Sequence, residues 1–250
     1  MRQYLFIGFI FLFTSAVFAQ EAKNEINFNI EENNKKPDVQ PYKFSVTYRL
    51  NVGYLQEWQH SLDTSFPEQH LYGPQLGVTF DFNLPYNFSI QTGLLYQISY
   101  GQNSQHWKNI NTSDYSEQSI KHRVLSHNLA IPVRATIDIK LWKKLSLMFY
   151  TGPQLVIGIA QTDYMKTNLN DETKAWLKSK DVHTEKYDRF SSHELIRPNI
   201  QYGIGLGLQW DKYRVYGGYD FGLNNLVKQN TEIHQHMWNW TWHVSFAYAF

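Results

Sequence analysis

The chain of 250 residues contains no cysteine. That absence excludes a disulfide framework, a thiol nucleophile and a lipidated cysteine behind an N-terminal leader. Net charge is only +1, so there is no basic footprint for nucleic acid. Mean hydropathy is −0.48, which rules out a bundle of membrane-spanning helices. No Gly-rich phosphate loop, nucleotide fingerprint or paired-carboxylate motif stands out, and no cofactor is expected.

Aromatic side chains are plentiful instead, at 16% of the sequence, with 17 Tyr, 16 Phe and 8 Trp. The last thirteen residues show how they are used. Trp238, Trp240, Trp242, Val244, Phe246, Tyr248 and Phe250 alternate with Asn239, Thr241, His243, Ser245, Ala247 and Ala249. In a strand, alternate residues share a face, so one face is aromatic and the other small and polar. An outer-membrane barrel ends on such a strand, with the aromatic face toward lipid and the polar face toward the lumen.

At the opposite end, Arg2 supplies a positive charge, Tyr4 to Phe13 an apolar run and Val17-Phe18-Ala19 a cleavage site before Gln20. Residues 1–19 read as a secretory signal peptide, cleaved near Ala19/Gln20, because the run is short for a membrane helix. Residues 20–42 are rich in Asn, Glu and Lys and read as a polar periplasmic tail. Residues 43–250 are left for the barrel.

Seven further segments repeat the alternation. Their bulky faces are Phe44 to Tyr54, Tyr72 to Phe82, Phe88 to Tyr100, Leu125 to Ile139, Leu145 to Ile159, Ile200 to Trp210 and Tyr213 to Leu223. The cleanest sets Ile200, Tyr202, Ile204, Leu206, Leu208 and Trp210 against Gln201, Gly203, Gly205, Gly207 and Gln209. Each is long enough to cross a bilayer when tilted, at roughly ten residues per crossing. Connections after the second, fourth and sixth segments are short, and the others are longer and more polar. That alternation fits periplasmic turns and extracellular loops, and two aromatic rims fit the membrane interfaces. The expected fold is all-β: an eight-stranded antiparallel transmembrane β-barrel. A soluble lipocalin-like barrel requires the reverse, an apolar inside and a wet outside.

Four motifs resemble the PorT-like family of small Bacteroidetes outer-membrane β-barrels. They are Asn128-Leu129-Ala130-Ile131-Pro132-Val133-Arg134, then Thr151-Gly152-Pro153, then the glycine-rich Tyr202–Leu208 segment leading into Tyr219–Leu226, and finally the aromatic last strand. Ala130 departs from the pattern, which has an acidic residue before Ile-Pro. The resemblance covers about Lys43 to Phe250 and implies a barrel in the cell outer membrane. One member is associated with a protein-secretion and gliding apparatus. The resemblance further implies that Trp242, Phe246, Tyr248 and Phe250 form a signal read by the barrel-assembly machinery.

The lumen-facing charges are Arg49, Asp81, Arg134, Asp138, Arg214 and Asp220. An eight-stranded bore is just wide enough for side chains, so mutual pairing of these groups would plug it. The same residues could instead line a narrow solute or ion channel. His243 and Ser245 form a His-x-Ser pair of the kind some barrel-wall lipid hydrolases use, but no orienting carboxylate can be placed from sequence. His234-Gln235-His236 lacks the companion ligands a structural metal needs. The polar stretch of about Gln161 to Leu195, with a short helix over Asp171 to Asp181, is a solvated loop or a docking surface. The functional expectation is a non-enzymatic barrel with a structural or interaction role in envelope or protein-secretion assembly. Its partners would be outer-membrane lipid, the assembly machinery and other envelope components.

Overall fold

A computed structural model describes residues 44–61, 68–108, 117–167, 175, 186–192, 194–228 and 236–250. The stretches expected to be a signal peptide, a polar tail and, apart from Ala175, the Asp171–Asp181 helix lie outside the described residues.

The described strands are β1 (Ser45–Ser61), β2 (Gln69–Asn83), β3 (Phe88–Lys108), β4 (Glu117–Trp142), β5 (Leu145–Thr167), the two-residue β6 (Tyr187–Asp188), β7 (Pro198–Trp210), β8 (Tyr213–Gly222) and β9 (Met237–Ala249). The order is β4-β3-β2-β1-β9-β8-β7-β5, and a β4–β5 pairing closes the ring with eight antiparallel strands. β6 lies outside the ring, adding Tyr187 and Asp188 to the far end of β5. Closure satisfies the backbone of every wall strand against a neighbour, as a bilayer demands. First and last strands meet from Arg49↔Ala249 to Ser61↔Met237.

The alternation read in the sequence is the alternation of the wall. Leu206 is 57% exposed and Phe246 46%, while Thr79, Asn51 and Arg214 inside the bore are each 1% exposed. Around the short turns stand Tyr86, Trp142, Trp210 and Phe250, all strongly exposed. At the other end, Trp58, His60, His70 and Trp240 pack ring on ring, with Trp58 and Trp240 centroids 5.2 Å apart.

Three strands outrun their apolar faces. The sequence reading stops β3 at Tyr100, starts β4 at Leu125 and ends β5 at Ile159, whereas the ladders continue to Lys108, from Glu117 and to Thr167. Beyond the bilayer neither face needs to be apolar, so the alternation fades while backbone pairing persists. β5 also changes parity. A register shift pairs His127 with Ala160 and Asn128 with Gly158, leaving Ile159 as the bulged residue. The buried side of β5 therefore passes from Gln154, Val156 and Gly158 to Gln161 and Asp163.

The mouth at the long-connection end is filled by its own small core. Phe190, Leu195, Leu226, Val227 and Met237 cluster with Ile196 against them. Backbone bonds from Ile196 N–H to Leu226 O (2.8 Å) and from Leu226 N–H to Met237 O (2.9 Å) hold the two covering segments together. The Phe190 ring lies where a Cβ of Gly158 would stand, so this glycine admits the cap to the bore.

Candidate functional site: the barrel lumen

The side chains of the bore fall into three tiers. In the tier nearest the short turns, Arg49 Nε donates to Asp81 Oδ2 at 2.7 Å. Arg214 Nη1 approaches the same oxygen at 3.1 Å, and its Nη2 lies 3.8 Å from Asp138. Gln91 donates to the other Asp81 oxygen at 2.8 Å. Gln209 accepts from Arg214 (2.7 Å) and from Arg49 (3.1 Å). Two guanidinium groups thus share one fully buried carboxylate, with a second carboxylate at the edge.

In the middle tier, Arg134 Nη2 donates to Asp220 Oδ1 at 2.6 Å and to Gln154 Oε1 at 2.8 Å. The other Asp220 oxygen lies 3.2 Å from His243 Nδ1. His243 Nε2 is 2.9 Å from the Tyr150 hydroxyl. The Arg134 guanidinium also sits 5.1 Å from the Tyr150 ring centroid, a cation–π contact. Tyr216 donates to Asn51 at 2.9 Å, and Ser245 Oγ accepts from Gln75.

Glycines make room for this tier. A Cβ on Gly203 would collide with Arg134 and Asp220, and one on Gly205 or Gly218 would collide with the end of Tyr150. The strand-internal Gly203-x-Gly205 pattern is therefore a space requirement of the bore.

The upper tier has polar groups of a different kind. Glu57 accepts from Ser99 (3.1 Å), Asn128 (3.2 Å) and Asn239 (3.3 Å). Gln59 and Gln161 exchange amide bonds across the bore, one of them at 3.2 Å. Above them, Asp188 ties down the turn of the cap. Its Oδ1 accepts from the backbone of Gln161 (3.1 Å) and Phe190 (3.2 Å), and its Oδ2 from the Ser191 hydroxyl (2.8 Å). Burial pushes the Asp188 carboxyl up, but these donors outweigh it and hold the group below the usual carboxylate range. Burial also raises the neighbouring Tyr187 phenol to about 12, so it stays protonated.

All six charges named from the sequence meet in the lumen: Arg49, Asp81, Asp138 and Arg214 in one group, Arg134 and Asp220 in another. His243 and Ser245 share the lumen face but not a bond. Asp220 is the carboxylate that the sequence could not place beside His243, yet the second imidazole nitrogen points to Tyr150. Sequence reasoning passed over Glu57 and Tyr216. Glu57 was visible in principle, since it continues the Arg49, Asn51, Gly53, Leu55 parity of β1. His234 falls outside the described residues, and among those described no group of three His, Asp or Glu side chains could hold a metal.

A closed antiparallel ring with an apolar outer belt, a polar packed bore and aromatic rims is a transmembrane β-barrel. Residues 18–228 match the profile of the outer membrane protein beta-barrel domain family, and the chain belongs to that family. Its place is the outer membrane, in contact with lipid. Among solved structures, the chain is similar to Ail, the attachment invasion locus protein of Yersinia pestis, at 13% identity and a TM-score of 0.35, over 82% of this chain and 99% of that one. It is also similar to neisserial surface protein A, at 9% identity and a TM-score of 0.39, over 82% and 99%. The N-terminal barrel domain of Pseudomonas aeruginosa OprF aligns at 10% identity and a TM-score of 0.28, over 80% and 97%. No curated protein matches the sequence.

Proposed function

We propose that this is a non-conducting, non-enzymatic barrel whose role is structural or interaction-based, serving envelope or protein-secretion assembly in the manner its PorT-like motifs imply. The observation that carries the reading is the filled bore: Arg49, Arg214, Asp81, Arg134 and Asp220 are paired in its lower and middle tiers, and a hydrophobic cluster covers its mouth. A bore plugged at both levels gives a solute no continuous path. The hydrolase alternative gains nothing from Ser245, which is 1% exposed on the lumen side and bonded to Gln75 rather than to His243.

In this reading the signal peptide is removed near Ala19/Gln20 and the 20–42 tail stays in the periplasm. The short turns face inward, and the long connections with the extended β3–β4–β5 ribbon face outward. Assembly of the barrel uses Trp242, Phe246, Tyr248 and Phe250, and the outward surface docks another envelope component. Crosslinking in native membranes tests the docking role, with recovery of a discrete partner as the expected result. Planar-bilayer recording tests the plug: no stepwise current is expected at moderate voltage, and stable discrete openings would favour the channel.

A further inference from the structure

Glu57 has a problem that Asp81 and Asp220 solve by pairing with arginines. It is 2% exposed, and its hydrogen-bond partners Ser99, Asn128 and Asn239 are all neutral. Among the described residues no cation pairs with it. Arg197 lines the same cavity, but its Nη1 is bound by the carbonyls of Gly158 (3.0 Å) and Ile159 (2.7 Å) and its guanidinium lies over the Phe190 ring. Arg189, in the cap, approaches Glu194 at 3.5 Å. Ionised, a buried carboxylate with only neutral partners carries an uncompensated charge, which is unfavourable in a medium of low dielectric, so it calls for a cation or a proton.

Two further groups point to the same need. The amide oxygens of Asn199 and Asn239 receive no hydrogen bond, and each residue is 5% exposed. Both line one cavity with Glu57, of about 20 Å³, room for a single small occupant. The unsatisfied groups around it are therefore all oxygen acceptors. Such a set suits a hard cation and offers nothing to a soft transition metal. Glu57 is the one carboxylate among these three oxygen groups, so a monovalent ion suffices to balance it, and the small cavity favours sodium over a larger ion.

We propose that the Glu57 carboxylate and the amide oxygens of Asn199 and Asn239 form a binding site for a sodium-class cation in the upper lumen, beneath the Phe190 cap. The ion is a resident structural group rather than a permeating one, because the paired tiers below it close the bore.

The test is reversible urea unfolding of the detergent-refolded barrel in sodium chloride and in choline chloride at equal ionic strength and neutral pH, followed by gel mobility without boiling. Sodium should lower the unfolding equilibrium constant in a saturable way, by roughly tenfold when its concentration is ten times the dissociation constant. Choline, too large for the cavity, should give no such change. In Glu57→Gln the sodium dependence should vanish, because an amide matches the shape but removes the charge. Equal stability of the wild type in the two salts would overturn the proposal, since Glu57 would then be neutralised by a proton. Sodium dependence that survives in Glu57→Gln would also overturn it, since the ion would then bind elsewhere. The wild-type comparison stands alone should the variant fail to fold.

Discussion

Arg134 and Asp220 meet at 2.6 Å over the bare backbone of Gly203, joining β4 to β8 across the bore. The pair is buried on both sides, at 4% and 1% side-chain exposure, so its two members depend on each other.

Removing one member should cost more than removing both. Asp220→Leu or Arg134→Met alone should destabilise the folded barrel by about 3–5 kcal/mol, because each leaves a buried charge uncompensated. The double variant Arg134→Met/Asp220→Leu should recover part of that loss. Urea midpoints of the four proteins in a double-mutant cycle measure the coupling, and strict additivity would contradict it.

The glycine beside this pair predicts a second coupling. Gly205→Ala should destabilise by about 1–3 kcal/mol, since the new methyl meets the end of Tyr150 and the Gly217 carbonyl. In a Tyr150→Leu background the same substitution should cost clearly less. Equal costs in both backgrounds would mean that the wall, not the ring, sets the requirement.

Depth in the bilayer should be readable from one strand. Leu206 lies within the outward belt of β7, and Trp210 lies at its rim, 66% exposed. Leu206→Arg should cost about 2–4 kcal/mol and Trp210→Arg about 0–1 kcal/mol when folding is followed in lipid vesicles. A reversed order would displace the belt assigned here.

The cap should loosen in acid with a definite sign. The native Asp188 carboxyl lies below its ordinary value, so its stabilisation is complete above the ordinary aspartate range and drains away as pH falls through the lowered value. Protection of the Gln161 and Phe190 amides, the backbone donors to Asp188, measured as exchange relative to the unfolded chain, should fall over that acid window in wild type. Asp188→Asn should lose the pH dependence of that protection, leaving it low throughout.

The C-terminus separates biogenesis from stability. The Phe250 N–H donates to Tyr48 O at 3.1 Å, while its ring is 75% exposed. Deleting Phe250 should reduce outer-membrane yield in cells much more than it reduces refolding of purified protein in detergent. Equal losses in both assays would remove the proposed assembly signal.

The wall was legible in the sequence because a bilayer imposes period two on every crossing strand, from Phe44 to Phe250. The ribbon beyond Tyr100 and Ile159 was not, because in water nothing forces its residues to alternate. Of the bore, the formal charges could be placed by parity alone. Their partners could not, since Arg214 reaching Asp81 depends on strand stagger and side-chain length across a space the sequence does not measure. The cap was hidden for a related reason: Phe190, Leu195 and Leu226 are scattered apolar residues in polar stretches, and only Gly158 makes a seat for one of them.

Tyr150 is a spoke as well as a filler. It stands on β5 and binds His243 on β9, although β7 and β8 separate those strands in the wall. Tyr216 on β8 reaches Asn51 on β1, and Arg214 on β8 reaches Asp81 on β2, so both cross behind the β1–β9 seam. A ring of strands bonded only edge to edge could flatten into an ellipse or part at its first-to-last junction. These chords resist such flattening and sew that junction from within, so no lipid chain can slip sideways into the bore without first breaking buried ion pairs and hydrogen bonds.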